Sequence, residues 1–132
     1  MILGIGHDIT SLRRIETLLQ GETGERFSAR ILTESERAAA SELRGGRLAE
    51  YVAGRFASKE AVSKALGCGI GATLGFHDIV IGRSPLGKPQ CKLSGEAWDR
   101  LGLIAEQTVV HVTITHDSSL ASAFVVVERV QA

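Results

Sequence analysis

Between Phe56 and Lys64 the chain reads Phe-Ala-Ser-Lys-Glu-Ala-Val-Ser-Lys, the densest run of residues able to do chemistry. If the segment is helical, Glu60 and Lys64 stand four apart and share a face, with Phe56 one turn earlier. The sequence holds four lysines, and two of them, Lys59 and Lys64, fall in this window. Such a cluster suits phosphate chemistry. On this pattern alone the commoner explanation is a solvated helix pair worth about 0.3 kcal/mol. Asp8 closes the glycine-spaced run Gly4-Ile-Gly-His-Asp. A carboxylate at a strand end is aimed from a rigid base, although aspartate also serves turns and helix N-termini. Together Asp8 and Glu60 supply two carboxylates, a set that Mg²⁺ accepts alongside water and substrate phosphates. Lys59, Lys64 and Lys88 are then the candidates to hold those phosphates.

Other clusters carry weaker signals. Gly87-Lys88-Pro89 is a rigid turn that suits a phosphate, a ring edge or an ordinary hairpin. Gly67 to Gly71 follows a helix rather than a strand, so it lacks the context of a dinucleotide-binding loop. None of the four histidines has zinc spacing to a neighbour. His116 stands apart because it ends an alternating segment and precedes Asp117, Ser118 and Ser119. Arg13, Arg14, Arg26 and Arg30 lie around Phe27 in the first two helical segments. They form either a charged helix face or a docking surface for an acidic partner.

The elements that must position these residues follow from periodicity. Met1 to Gly6 reads as a strand ending near Asp8. Leu12, Ile15, Leu18 and Leu19 give a helix over 10–20, capped by Thr10 or Ser11 and broken by Gly21 to Gly24. Thr33 and Glu36 have capping-box spacing, which predicts a helix to about Leu43, ended by Gly45-Gly46. The longest helix spans roughly Leu48 to Leu66, with an apolar stripe through Leu48, Val52, Phe56, Val62 and Leu66, and a stop at Gly67. Strands follow at Phe76–Arg83 and Gln90–Leu93, then a short helix over Ser94–Leu101. Thr108–Thr115 alternates, with Val110, Val112 and Ile114 on one face, and Ala121–Val130 closes the chain as a strand. Helices followed by antiparallel strands predict an α+β fold.

Length and composition bound the rest. At 132 residues the chain reads as one domain, 1–132, able to bury a core without staples. Fifteen basic residues balance fifteen acidic ones, which argues against bulk nucleic-acid binding. Cys68 and Cys91 suggest reduced thiols and a cytoplasmic setting. The N-terminal segment lacks the pattern of a secretory leader, and no apolar run is long enough to span a membrane.

Four segments carry a family resemblance: Gly4-Ile-Gly-His-Asp-Ile9, Phe27 to Thr33, Gly54 to Ala65, and Thr115-His116 leading into Ala121 to Glu128. Gly87-Lys-Pro89 fits in order. The chain resembles the short, trimeric type of 4′-phosphopantetheinyl transferase, the holo-acyl-carrier-protein synthases, over nearly its whole length. The resemblance implies transfer of phosphopantetheine from coenzyme A to a carrier-protein serine, with release of 3′,5′-ADP. It implies that Asp8 and Glu60 bind Mg²⁺, with Mn²⁺ as a substitute, and that Lys64 contacts the transferred phosphate. Arg55, Lys59, Lys88 and His116 would join Lys64 in holding coenzyme A. Arg14, Arg26, Phe27 and Arg30 would receive the acyl carrier protein. It also implies a homotrimer with sites between protomers. His7 and Cys68 fill motif-adjacent positions where other residues are commoner. Two alternatives use the same residues differently. A nucleotide- or coenzyme A-binding module needs the lysines but no convergence of Asp8 with Glu60. A partner-binding protein needs only the arginine helices.

Overall fold

Two elements set the frame, and the computed structural model describes them within residues 1–130. Strand β1 (Ile2–Ser11) opens the chain, and helix α4 (Gly45–Ala65) crosses the middle. Between them come three short helices, α1 (Leu12–Gln20), α2 (Gly24–Ile31) and α3 (Glu34–Ala40). After α4 come the hairpin strands β2 (Ile79–Arg83) and β3 (Pro89–Leu93), helix α5 (Gly95–Leu101), and strands β4 (Thr108–His116) and β5 (Leu120–Arg129). The predicted α+β class holds.

The first strand pairs with the last. The main sheet is antiparallel in the order β1-β5-β4, and β2 and β3 form a separate two-stranded sheet. Asp8 lies opposite Ala123, and Thr10 opposite Ala121. On β5 the alternation is clean, with Ala121, Ala123, Val125 and Val127 buried. Ala123, Val125 and Val127, with Val112 of β4, pack against Ala57, Ala61 and Ala65 of α4, while Ala121 packs with Val52 and Ala53. Small side chains on both surfaces let sheet and helix come close. Gly4 and Gly6 take this to its limit, because a Cβ built on either would collide with the carbonyl oxygen of Ala65 or Ala61.

The opposite side of α4 meets α1 to α3 through Val52, Ala53, Ile15, Ile31 and Leu32. The helix is therefore enclosed on both sides rather than striped. Val52 and Val62 of the predicted stripe are fully buried, but so are Ser58, Lys59 and Ser63 on other faces. Its end follows expectation. Gly67 takes φ 73°, its N–H donates to Lys64 O, and Cys68 N–H donates to Ser63 O, which satisfies the last carbonyls.

Boundaries differ in three informative places. β1 runs past Asp8 to Ser11, because β5 continues to pair with it. Gly45-Gly46 begins α4 rather than only ending α3. Phe76–Asp78 is a single 3₁₀ turn ahead of β2, not strand. The capping box at Thr33 and Glu36 forms as predicted, and Ser11, not Thr10, caps α1 by accepting from Arg14 N–H. No helix among the described residues is long and apolar enough to cross a membrane.

Candidate functional site

Asp8 projects from the face of β1 that packs on α4. Its Oδ1 accepts from Lys64 Nζ at 3.0 Å, and its Oδ2 accepts from Thr10 Oγ1 at 3.0 Å. Lys64 also donates to His7 O at 3.2 Å. The Glu60–Lys64 spacing does place both on one face, yet Lys64 makes its ion pair across to the strand and not along the helix. The ordinary helix pair is thus not what this lysine forms. Glu60 lies one turn back, facing the same strand.

The carboxylates feel each other. Burial raises the Glu60 pKa above its ordinary value, the Asp8 charge raises it further, and Lys64 opposes both. Two carboxylates held in mutual repulsion beside one ammonium fit a hard divalent cation, which would relieve that repulsion. The donor set of these two side chains is oxygen only. That suits Mg²⁺, which keeps waters and takes substrate oxygens, and not a closed zinc centre.

Glu60 and Thr10 open onto a recess of about 450 Å³. Arg14, Phe27 and Arg30 line it, so three of the four predicted docking residues share a rim with Glu60. Arg26 lies on α2 and is exposed, outside this lining. Phe56 and Phe76 stack in a tilted pair, centroids 5.8 Å apart, and form the apolar wall with Ile70.

Lys59 does not belong to this cluster. Its side chain has 0% exposure, and Nζ donates to Glu36 Oε1 at 2.6 Å and to the carbonyls of Ile31 and Phe76. The second Glu36 oxygen accepts from Ile81 N–H, while Oε1 also accepts from Thr33 N–H. Desolvation pulls the Lys59 pKa down against the pull of Glu36. The expectation that Lys59 holds coenzyme A phosphates is corrected: a sealed ammonium saturated by three oxygens cannot reach a ligand. It ties α4 to α2, α3 and the 3₁₀ turn.

Arg55 and His116 meet elsewhere, at a second recess of about 170 Å³ lined also by Arg47, Tyr51 and Arg83. Arg55 lies with its guanidinium 4.0 Å over the Tyr51 ring, and its buried Nε has no hydrogen-bond partner among the described residues. Burial lowers the Arg55 pKa from its usual range. A cation stripped of water and only partly bonded favours an arriving anion. Glu60 lines the first recess and not the second. Lys88 stands exposed on the β2–β3 turn and lines neither. Cys68 and Cys91 are free thiols, and burial pushes Cys91 up to about 12, which leaves it unreactive.

Sequence reading missed Thr10, Glu36, Tyr51 and Arg83. Thr10 had a usable signal, since i and i+2 share a strand face, but that relation disappears if β1 ends at Asp8. Glu36 was legible only as a cap.

Known proteins align with these features. Residues 4–123 match the model of the 4′-phosphopantetheinyl transferase superfamily. A holo-[acyl-carrier-protein] synthase of Bacillus cereus is 46% identical over 128 residues, 97% of each chain. The crystal structure of a Bacillus anthracis holo-(acyl-carrier-protein) synthase in complex with CoA (3′,5′-ADP) superposes with a TM-score of 0.83 at 45% identity, covering 98% of both chains. The Neisseria meningitidis synthase gives 0.85 at 36% identity, covering 98% of this chain and all of that one, 100%. A strand-borne Asp8 facing Glu60 and Lys64 on the central helix thus lies inside a match that spans nearly the whole chain, and the protein belongs to the 4′-phosphopantetheinyl transferase superfamily.

Proposed function

We propose that this protein transfers the 4′-phosphopantetheine group of coenzyme A to a serine of an acyl carrier protein, converting apo to holo carrier, within a single domain spanning 1–132. The observation that carries it is that Asp8 of β1 pairs with Lys64 of α4 close enough to Glu60 for both charges to act on it, in a chain of this family. A simple coenzyme A-binding module would need no such pairing of carboxylates.

The serine oxygen forms a bond to the β-phosphorus of coenzyme A. The bridging P–O bond breaks, and 3′,5′-ADP leaves with its electron pair. Lys64, on a half-exposed flexible stem, contacts the transferred phosphate and offsets its charge. In this reading Glu60 takes the serine proton. Asp8 and Glu60 would hold Mg²⁺, or Mn²⁺ in its place, and the ion supplies charge neutralisation at the pyrophosphate. The aromatic wall and Ile70 exclude water beside Glu60.

Arg14, Phe27 and Arg30 on the recess rim, with Arg26 nearby, receive the acidic helix of the carrier. Arg55 and His116, with Arg47 and Arg83 beside them, hold the phosphate and adenosine end of coenzyme A, and Lys88 assists from the hairpin turn. The two recesses join across protomers of a homotrimer. The support is that the face of the main sheet away from α4 exposes Ile5, Ile9 and Phe124, an apolar surface suited to a second copy. The setting is the cytoplasm, where coenzyme A and reduced thiols coexist, in service of fatty acid synthesis.

Intact mass of an apo carrier protein after incubation with this protein, coenzyme A and Mg²⁺, beside an EDTA control, tests the reaction. A phosphopantetheine mass gain that needs metal is expected. No gain across several carriers sinks the reading. Light scattering tests assembly, and a monomer at working concentration contradicts the shared site.

A further inference from the structure

We propose that Thr10 is a positioning residue that fixes the carboxylate of Asp8 for metal binding, an inference that rests on the metal-dependent reading above. Asp8 and Thr10 are two apart on β1, so the pleat turns both toward α4. The two Asp8 oxygens have different partners. Thr10 Oγ1 donates to Oδ2 at 3.0 Å, and Lys64 Nζ donates to Oδ1 at 3.0 Å.

Those donors differ in freedom. Thr10 is 4% exposed and β-branched, on a paired stretch of β1 opposite Ala121. The Lys64 side chain is 53% exposed on a long stem. The threonine bond is therefore the fixed one and the lysine bond the exchangeable one. Ser11 caps α1, so the Thr10 hydroxyl has no duty there. Its one hydrogen bond among the described residues is to Asp8. The result is a carboxylate whose plane is locked through Oδ2, with Oδ1 presented toward Lys64. Hydroxyls that orient a ligating carboxylate in this way tune metal affinity by roughly tenfold or more.

Thr10→Val keeps the shape and strand preference but removes the donor. Thr10→Ser keeps the donor and removes the methyl. The experiment is calorimetric titration of Mn²⁺ into the full chain saturated with coenzyme A, for wild type and both variants, with thermal melts alongside. Thr10→Val is expected to bind Mn²⁺ roughly tenfold more weakly, with Thr10→Ser close to wild type. Thr10→Ala stands in should the valine variant fail to fold, with the same loss expected. Binding by the donor-less variant within about twofold of wild type overturns the proposal. Equal weakening in Thr10→Ser also overturns it, because the methyl would then be what matters. A wild-type chain that binds no Mn²⁺ overturns the metal-dependent reading itself, and this inference with it.

Discussion

Lys59 and Lys64 sit five residues apart on one helix, each paired with one carboxylate, and they do opposite things. Lys59 is sealed against Glu36 with 0% and 2% side-chain exposure. Lys64 reaches Asp8 with 53% and 15%. Five residues turn a helix by roughly 140° beyond one full turn, so the two ammonium groups leave on different sides. One side is closed by α2, α3 and the turn at Phe76. The other opens beside β1. Charge pairing alone does not mark a functional site. The proposed site differs in having a pair whose lysine is free to exchange partners, next to a second carboxylate with raised proton affinity.

The sharpest break of this contrast is in turnover. Glu60→Gln is expected to lower transfer by roughly a hundredfold or more with the fold intact, measured as holo-carrier formed per enzyme. Near-normal turnover would remove Glu60 from the chemistry. Lys64→Met comes next. It should cost roughly tenfold or more in transfer yet move the unfolding free energy by less than about 1 kcal/mol, since its pair is half exposed. Lys59→Met should show the reverse. Leaving Glu36 buried and unpaired costs about 3 kcal/mol in a denaturant titration, and the folded fraction should keep its specific activity. Lys59→Met combined with Glu36→Gln should recover part of that loss. Loss of activity per folded molecule in Lys59→Met would erase the distinction between the two lysines.

The smallest effect concerns pH. The folded Glu60 pKa lies above its unfolded value, so the native state holds this proton more tightly. Ionised Glu60 therefore weakens the fold above its folded pKa, and the penalty vanishes below the ordinary carboxylate value. In metal-free buffer Glu60→Gln should melt higher than wild type near neutral pH, by roughly a degree or two, and equally below pH about 4. A melt unchanged at neutral pH would mean that the fold does not strain this carboxylate.

These residues also show how far sequence reading reaches. Glu60 and Lys64 were legible because helical spacing states which positions share a face. Asp8 was legible as a strand-borne carboxylate. Lys59 was misread because its environment comes from Ile31, Glu36 and Phe76, all distant in sequence and brought together only by packing. A periodicity argument assigns a face but not what covers it. The α4 stripe was incomplete for the same reason: its residues do pack in the core, but a helix enclosed on both sides also buries polar residues that a surface helix would expose. Arg55 illustrates the converse, a charged residue whose buried, partly unpartnered state no local pattern announces.

The glycines of β1 have a further consequence. Strand and helix touch where Gly4 and Gly6 lie against the carbonyls of Ala65 and Ala61, and no Cβ fits. The gap between Asp8 and the Glu60–Lys64 face is thereby gauged by the absence of side chains. For protein engineering this makes Gly6 a spacer of fixed thickness. Adding a single methyl there forces the strand off the helix and widens the gap between Asp8 and the Glu60–Lys64 face without changing any of those three side chains. For evolution it means that these two positions cannot drift by small steps. Their first possible change is already a large one, whereas the carboxylates they align can be swapped and tested one at a time.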